Sequence, residues 1–299
     1  MIKQYYPIKI ETDHPHPVDS PDYLDPAGCV EDNHSNAYFI HEIDKAFRGL
    51  PYKLLDLGCA GGQFAIDICN KGYPWAGIGI EGGNIWGMTG SFEAQEKGTG
   101  DLSAPRGADN WREYKEKCLF NADISKPFEL LLTEYRPGLR EEEVGGRVLF
   151  EIITAYEFLE HPLPTEIPQI LENVKKHLHP DGIFVGTINL SPSDHHRCAK
   201  PFTWWLNVFA ENGFEYHHYP FASSPRSGLE YLSWVCQHTA DLPPDTDFFV
   251  LDESVFPPAA LNHRNFKYTN EYNFPFMVTH KSLALPHMHP WVQGVQEDE

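Results

Sequence analysis

Through the middle of the chain, short apolar runs alternate with stretches of helical period. The runs at 53–57, 76–80, 118–120, 148–155 and 183–188 read as buried strands. Between them, Tyr38, Phe39, Ile43 and Phe47 recur at helical spacing, with Ser35 or Asn36 placed to cap the helix. Ile167, Ile170, Leu171, Val174 and Leu178 do the same until Pro180-Asp181-Gly182 stops them. A helix also begins at Gln63, directly after a cluster of glycines, and 201–212 forms another with Trp204, Trp205, Val208 and Phe209. Residues 83–116 show no regular period. Strands alternating with helices imply βαβ units and a mostly parallel sheet. The last two strand candidates, 213–219 and 231–236, are joined by a loop too short for a crossover helix and are expected to be antiparallel neighbours.

Both ends break this pattern. Residues 1–35 are rich in His, Pro and Asp, and proline at that density excludes helix interior and central strand. They read as an extended N-terminal arm or lid. Past 240 the chain is again rich in Pro and His, with 248–251 and 274–278 as isolated apolar patches. The expected organisation is therefore an arm at 1–35, an α/β domain at 36–240 and a C-terminal extension at 241–299.

Composition narrows the partners. The formal net charge of −20, from 43 acidic against 23 basic side chains, opposes phosphate backbones and anionic lipid. The longest basic cluster is Lys175-Lys176, so neither nucleic acid nor membrane is an expected partner. Six scattered cysteines with no CxxC pair argue against a disulfide scaffold or a thiolate zinc site. No apolar run has signal-peptide or membrane-spanning length, which suggests a soluble, cytoplasmic protein. The C-terminal extension is the segment available for homo-oligomer contacts.

The strongest local chemistry is the turn Asp56-Leu57-Gly58-Cys59-Ala60-Gly61-Gly62 at the end of the first strand of the α/β domain. In an open parallel sheet ligands bind beyond the carboxyl ends of the strands, and small residues let the backbone approach them. Glu81 follows Gly58 by 23 residues and ends the second strand, where a carboxylate can accept both hydroxyls of a ribose. Asp123, after the third strand, is either an acceptor for an adenine amino group or an Asx turn ahead of Ile124-Ser125-Lys126. A dinucleotide site normally needs G-x-G-x-x-G, and the glycines here are spaced otherwise.

These residues resemble the class I S-adenosylmethionine-dependent methyltransferases, in their small-molecule O-methyltransferase-like branch, over roughly 36–238. The resemblance implies a Rossmann-like α/β fold with a seven-stranded, mostly parallel sheet of order 3-2-1-4-5-7-6, the last strand antiparallel. It also implies S-adenosyl-L-methionine as cofactor, held by Asp56, Gly58, Cys59, Ala60, Gly61, Gly62, Glu81, Gly82, Asp123 and Tyr156. Ala60 stands where glycine is commoner, and Asp181 replaces the first Gly of the family's Pro-Gly-Gly before strand five.

Methyl transfer to a hydroxyl needs alignment and a proton acceptor. The segments after the fourth and fifth strands of the domain offer Glu157, Glu160 and His161 in one, and Ser191, Asp194, His195 and His196 in the other. His195, oriented by Asp194, is the first choice of base, with His161 and His196 behind it. Glu157, Glu160, His34, Trp204 and Trp205 are assigned to the acceptor, a small molecule or a saccharide. Where a base-methylating enzyme would carry an Asn/Asp-Pro-Pro-aromatic segment, the chain reads Ala155-Tyr156-Glu157-Phe158. His14, His16 and His34 with Asp13 and Asp19 have metal-ligand chemistry, but surface histidines in a proline-rich arm explain them better, and no metal ligand is assigned. The arm can instead fold over the acceptor site, with 32–36 best placed to reach it. N-methylation of an amine or protein side chain, or a non-catalytic partner-binding role, stay open as alternatives.

Overall fold

The computed structural model describes residues 4–17, 20, 33, 35–83, 106–137, 144–190, 194–217 and 273–280. Its centre is a three-layer α/β arrangement around a Rossmann-like, mostly parallel sheet. The elements, in chain order, are β1 Ile8–Glu11, α1 Ala37–Ala46, β2 Lys53–Leu57, α2 Gln63–Cys69, β3 Ala76–Glu81, α3 Arg106–Tyr114 and β4 Leu119–Asn121. Then come β5 Glu129–Leu132, β6 Phe150–Tyr156, α4 Ile167–His177, β7 Leu178–Asn189, α5 Phe202–Glu211, β8 Phe214–His217 and β9 Asn273–His280.

β2 pairs in parallel with β3 on one side and β6 on the other; β4 adds to β3 and β7 to β6, also in parallel. β9 runs antiparallel beside β7, and β8 antiparallel beside β9. The full order is β4-β3-β2-β6-β7-β9-β8. The segment paired with β7 was expected at 231–236, which lies outside the described residues. Its place is filled by Asn273–His280, read from sequence as an isolated patch of the extension. Nothing local marks that segment as a sheet member, because its partner is more than eighty residues away along the chain.

Strand alternation divides the core in two. Leu54, Ile152, Ile183 and Val185 pack on one face against Phe39, Ile43, Phe64 and Ile68, while Leu55, Leu57, Ile153, Ala155 and Phe184 face the other. α1 starts where expected, with the Asn36 side chain accepting the Phe39 N–H at 3.1 Å. α4 carries a buried polar pair on its core-facing side. Asn173 Nδ2 donates to the Ile124 and Lys126 carbonyls at 2.9 and 2.8 Å, and His177 Nε2 accepts the Leu130 N–H at 3.1 Å. These bonds fix the segment that follows β4. Burial lowers His177 to about 4, so it is held neutral.

The arm is partly a strand: β1 pairs antiparallel with β5. Residues 8–11 contain no proline, which is why this part of the arm can pair. α3 lies inside the stretch that showed no regular period, anchored by fully buried Trp111 with Tyr114 one turn on. Among the described residues, no helix is long and apolar enough to cross a membrane.

Candidate active site

The carboxyl ends of β2, β3, β4, β6 and β7 meet along one edge of the parallel sheet, and Asp56, Gly58–Gly62, Glu81, Gly82, Asp123, Tyr156, Glu157, Glu160 and His161 end or follow these strands. On the β2–β4 side, Gly58 and Gly62 adopt φ of 70° and 82°. Ala60 does so too at 48°, a conformation costly for any side chain. Glu81, 7% exposed, organises this turn: Oε2 accepts the Ala60 N–H at 2.9 Å and Oε1 the Gly83 N–H at 2.8 Å. Asp56, at the end of β2, accepts the Thr154 hydroxyl from β6 at 2.7 Å. Burial pushes its carboxyl up to about 7, with the Thr154 bond opposing and Glu81 adding. Cys59 packs so close to β3 that a Cβ on Gly79 would come within 2.6 Å of its sulfur.

Trp111 and Asn110, not singled out from sequence, hold the far side of the turn together with Asn33 of the arm. Trp111 Nε1–H donates to the Ala60 carbonyl at 2.8 Å, and Asn110 Nδ2 to the Gly61 carbonyl at 3.0 Å. Asn33 Oδ1 accepts from the Gln63 N–H and Asn110 Nδ2, both at 3.0 Å. A Cβ on Gly61 would strike the Asn33 side chain at 2.5 Å. The signal for α3 was present as Trp111, Tyr114 and Cys118 at helical spacing, masked by the polar residues around them. Asn33 belongs to the 32–36 segment expected to reach the acceptor and meets the glycine turn; Thr154 carried no signal, since it acts through a contact distant in sequence.

The arm reaches this side of the edge. The His14 carbonyl accepts the Asp123 N–H at 2.7 Å, His16 Nδ1 lies 3.1 Å from the Gly82 carbonyl, and Pro17 packs where a Gly82 Cβ would be. Asp123 itself forms the Asx turn, its Oδ1 accepting the Ser125 N–H at 3.0 Å and hydroxyl at 2.6 Å. The described part of the arm thus covers the ends of β3 and β4 and the glycine turn. Asp32 and His34, expected to reach the acceptor, lie outside the described residues.

The β6–β7 side collects the acid–base groups. Phe158 brings the two sides together, since a Cβ on Gly58 would come within 2.6 Å of its ring. Glu157 adopts φ of 49° and donates its N–H to the Thr187 carbonyl at 2.8 Å. Burial raises its carboxyl to about 7, with His161 opposing. Glu160 is completely buried; burial raises it to about 8, against His161 and its backbone hydrogen bonds. Its Oε1 accepts the Asn189 N–H at 2.9 Å. His161 and His196 meet edge to face, 5.2 Å between centroids.

Several assignments change in this setting. His195, the first choice of base, is exposed together with Asp194, while His196 is the histidine beside His161 and Glu160. Trp205, expected to floor an acceptor pocket, is fully buried in the core against Phe209, because its position on α5 faces the sheet. Trp204 is half-buried and meets Trp205 edge to face. Tyr156 ends β6 with its ring against Phe39 and Phe64. Ser191 lies outside the described residues.

A family model described as a methyltransferase domain matches residues 32–227, well over half of the chain. No match is found among curated proteins. Among solved structures, a TehB-like SAM-dependent methyltransferase from Corynebacterium glutamicum ATCC 13032 is similar at 14% identity and a TM-score of 0.44, covering 89% of this chain and 100% of that one. A S-adenosylmethionine-dependent methyltransferase from Clostridium acetobutylicum ATCC 824 is similar at 14% identity and a TM-score of 0.36, over 65% of this chain and 85% of that one. The 1,6-didemethyltoxoflavin-N1-methyltransferase of Burkholderia thailandensis is similar at 16% identity and a TM-score of 0.38, over 70% and 80%.

Proposed function

This chain belongs to the methyltransferase-domain family and is an S-adenosylmethionine-dependent methyltransferase, and from that premise we propose that it methylates a hydroxyl of a small molecule or saccharide. The observation that carries the hydroxyl reading is the cluster Glu157, Glu160, His161 and His196, set beside the glycine turn through the Phe158–Gly58 contact.

The β2–β4 side suits the cofactor. Asp56, Glu81 and Asp123 place carboxylates at or just beyond the ends of β2, β3 and β4, which form two adjacent parallel pairs, and Gly58–Gly62 leave the backbone open between them. In this reading Glu81 receives the ribose hydroxyls, the turn lies under the methionine portion, and Asp123 borders the adenine. The arm residues His14, His16 and Pro17 close over that end and exclude water. When bound, the sulfonium supplies the electrophilic methyl.

The protein's own part is orientation and proton removal. A base works best with its pKa near the working pH, and Glu157, raised to about 7, meets that condition with His161 as its electrostatic partner. His196, half-buried beside His161, is the second group able to take the proton. Exposed His195 is less well placed, because a base must lie within hydrogen-bond reach of the acceptor.

The reading is tested by calorimetric titration with S-adenosylhomocysteine and by a screen of sugar, phenolic and amine acceptors that detects this product. Micromolar product binding and turnover with hydroxyl acceptors, lost in Glu157→Gln, are expected. Turnover confined to amines, unaffected by Glu157→Gln, would reject the hydroxyl reading and leave an N-methyltransferase.

A further inference from the structure

Glu160 has no exposed surface, yet among the described residues only one of its carboxyl oxygens is engaged. Oε1 accepts the Asn189 N–H, while Oε2 has no hydrogen-bond partner among the described residues. A buried carboxylate oxygen left this way is unfavourable and calls for a ligand. One ring nitrogen of His161, one of His196 and a carboxylate oxygen of Glu160 all lie within 4.8 Å of one another.

We propose that Glu160, His161 and His196 bind one divalent first-row transition-metal ion at the acceptor end of the site. Two imidazoles and a carboxylate suit manganese, iron, cobalt or zinc. Ligand atoms about 2.1 Å from a common cation stand roughly 3–4.2 Å apart, so a contraction of under about 2 Å closes the trio. Its three members come from two loops already tied together. Arg197 Nε–H donates to the His161 carbonyl and the Cys198 N–H to the Glu160 carbonyl, both at 2.8 Å. The Arg197 guanidinium also lies 3.7 Å from Glu166, so this neighbouring cation is engaged elsewhere. Glu157, whose carboxyl interacts with both Glu160 and His161, stands beside the trio.

Three protein ligands leave positions open, and an acceptor oxygen bound there becomes easier to deprotonate. That role rests on the hydroxyl reading above, with Glu157 left as the proton acceptor once His196 is a ligand; the binding of the ion does not rest on it.

The test titrates Co²⁺ into the metal-free full-length chain. One equivalent is expected, seen as visible absorption bands and by calorimetry. In proton NMR of the unmodified chain, imidazole signals of two histidines should move far outside the diamagnetic range, which needs no variant. His196→Asn, at a half-buried position, and Glu160→Gln should each weaken Co²⁺ binding about tenfold or more while unfolding stays cooperative. S-adenosylhomocysteine titrated in parallel reports the cofactor site separately, so failure there does not count against the metal. No Co²⁺ uptake by the unmodified chain, shifted signals confined to the arm histidines, or affinity unchanged in both variants would overturn the proposal.

Discussion

The two halves of the catalytic edge are built on opposite terms. On the β2–β4 side, Glu81 has both oxygens occupied by backbone N–H groups, and the Ala60 and Gly61 carbonyls are taken by Trp111 and Asn110. On the β6–β7 side, Glu160 Oε2 and Thr187 Oγ1 are buried without partners among the described residues, Glu157 sits in a left-handed backbone conformation, and both glutamates are shifted up by burial. The first side is set in shape before any ligand arrives. The second keeps unfavourable polar groups in place, as sites that act on a ligand do. The first side has its own exceptions: Asn33 Nδ2 is buried with no partner among the described residues, Ala60 takes a φ of 48°, and burial raises Asp56 to about 7.

The largest effect is expected where the ordered half depends on a single side chain. Glu81→Ala removes the acceptor of two backbone N–H groups and the ribose partner together. Affinity for S-adenosylhomocysteine should fall roughly 100-fold by calorimetry. A loss of less than about threefold would mean that this half is ordered for stability alone.

Next comes the unsatisfied half. Glu160 has a folded-state pKa of about 8 against an ordinary carboxyl value near 4.5. Its neutral form therefore contributes stability below pH about 4.5 that is lost as pH rises through 8. Glu160→Gln keeps an acceptor for Asn189 and cannot ionise, so the metal-free variant should be more stable than the parent at pH 9, by on the order of 1–3 kcal/mol, and no more stable at pH 4.5. Thermal melts across that range check it. Parallel curves for both proteins would show that Glu160 is not strained by burial. Some slope should survive in the variant, because Asp56 and Glu157 are raised in the same direction.

The ordered half is also the half that could be read in advance. Gly58–Gly62, Glu81 and Asp123 announce themselves because each follows an apolar strand in a short, fixed sequence relation. β2 and α1 fall within a residue or so of expectation for the same reason, a clear local period. The β6–β7 half was legible as residue types but not as an arrangement. Choosing His196 over His195 depends on a one-residue turn of a loop, and pairing it with Glu160 spans 36 positions of chain. β9 was missed through distance, and α3 because charged and small residues surround its two aromatic anchors.

Trp111→Phe probes whether the missed helix belongs to the cofactor half. Phenylalanine lacks the second ring of the indole, so a small void opens at this fully buried position, and the bond to the half-buried Ala60 carbonyl goes, leaving that acceptor short of a partner. A stability loss of about 1–2 kcal/mol in urea unfolding is expected, with product affinity reduced several-fold. Loss of stability with affinity untouched would confine Trp111 to the core.

The smallest effect tests how finely the turn is set. Ala60 carries φ of 48°, at a strain of about 1 kcal/mol that glycine would not pay. Ala60→Gly removes the strain but gives the unfolded chain more freedom, about 0.4–1 kcal/mol in the other direction. The two nearly cancel, so a net change within about 0.5 kcal/mol is expected, on the stabilising side. Its partners, Glu81 and Trp111, bind backbone atoms that glycine keeps, so product affinity should change less than about twofold. A drop of tenfold would mean that the methyl group itself holds the turn in shape, and that the ordered half owes more to packing than to its hydrogen bonds.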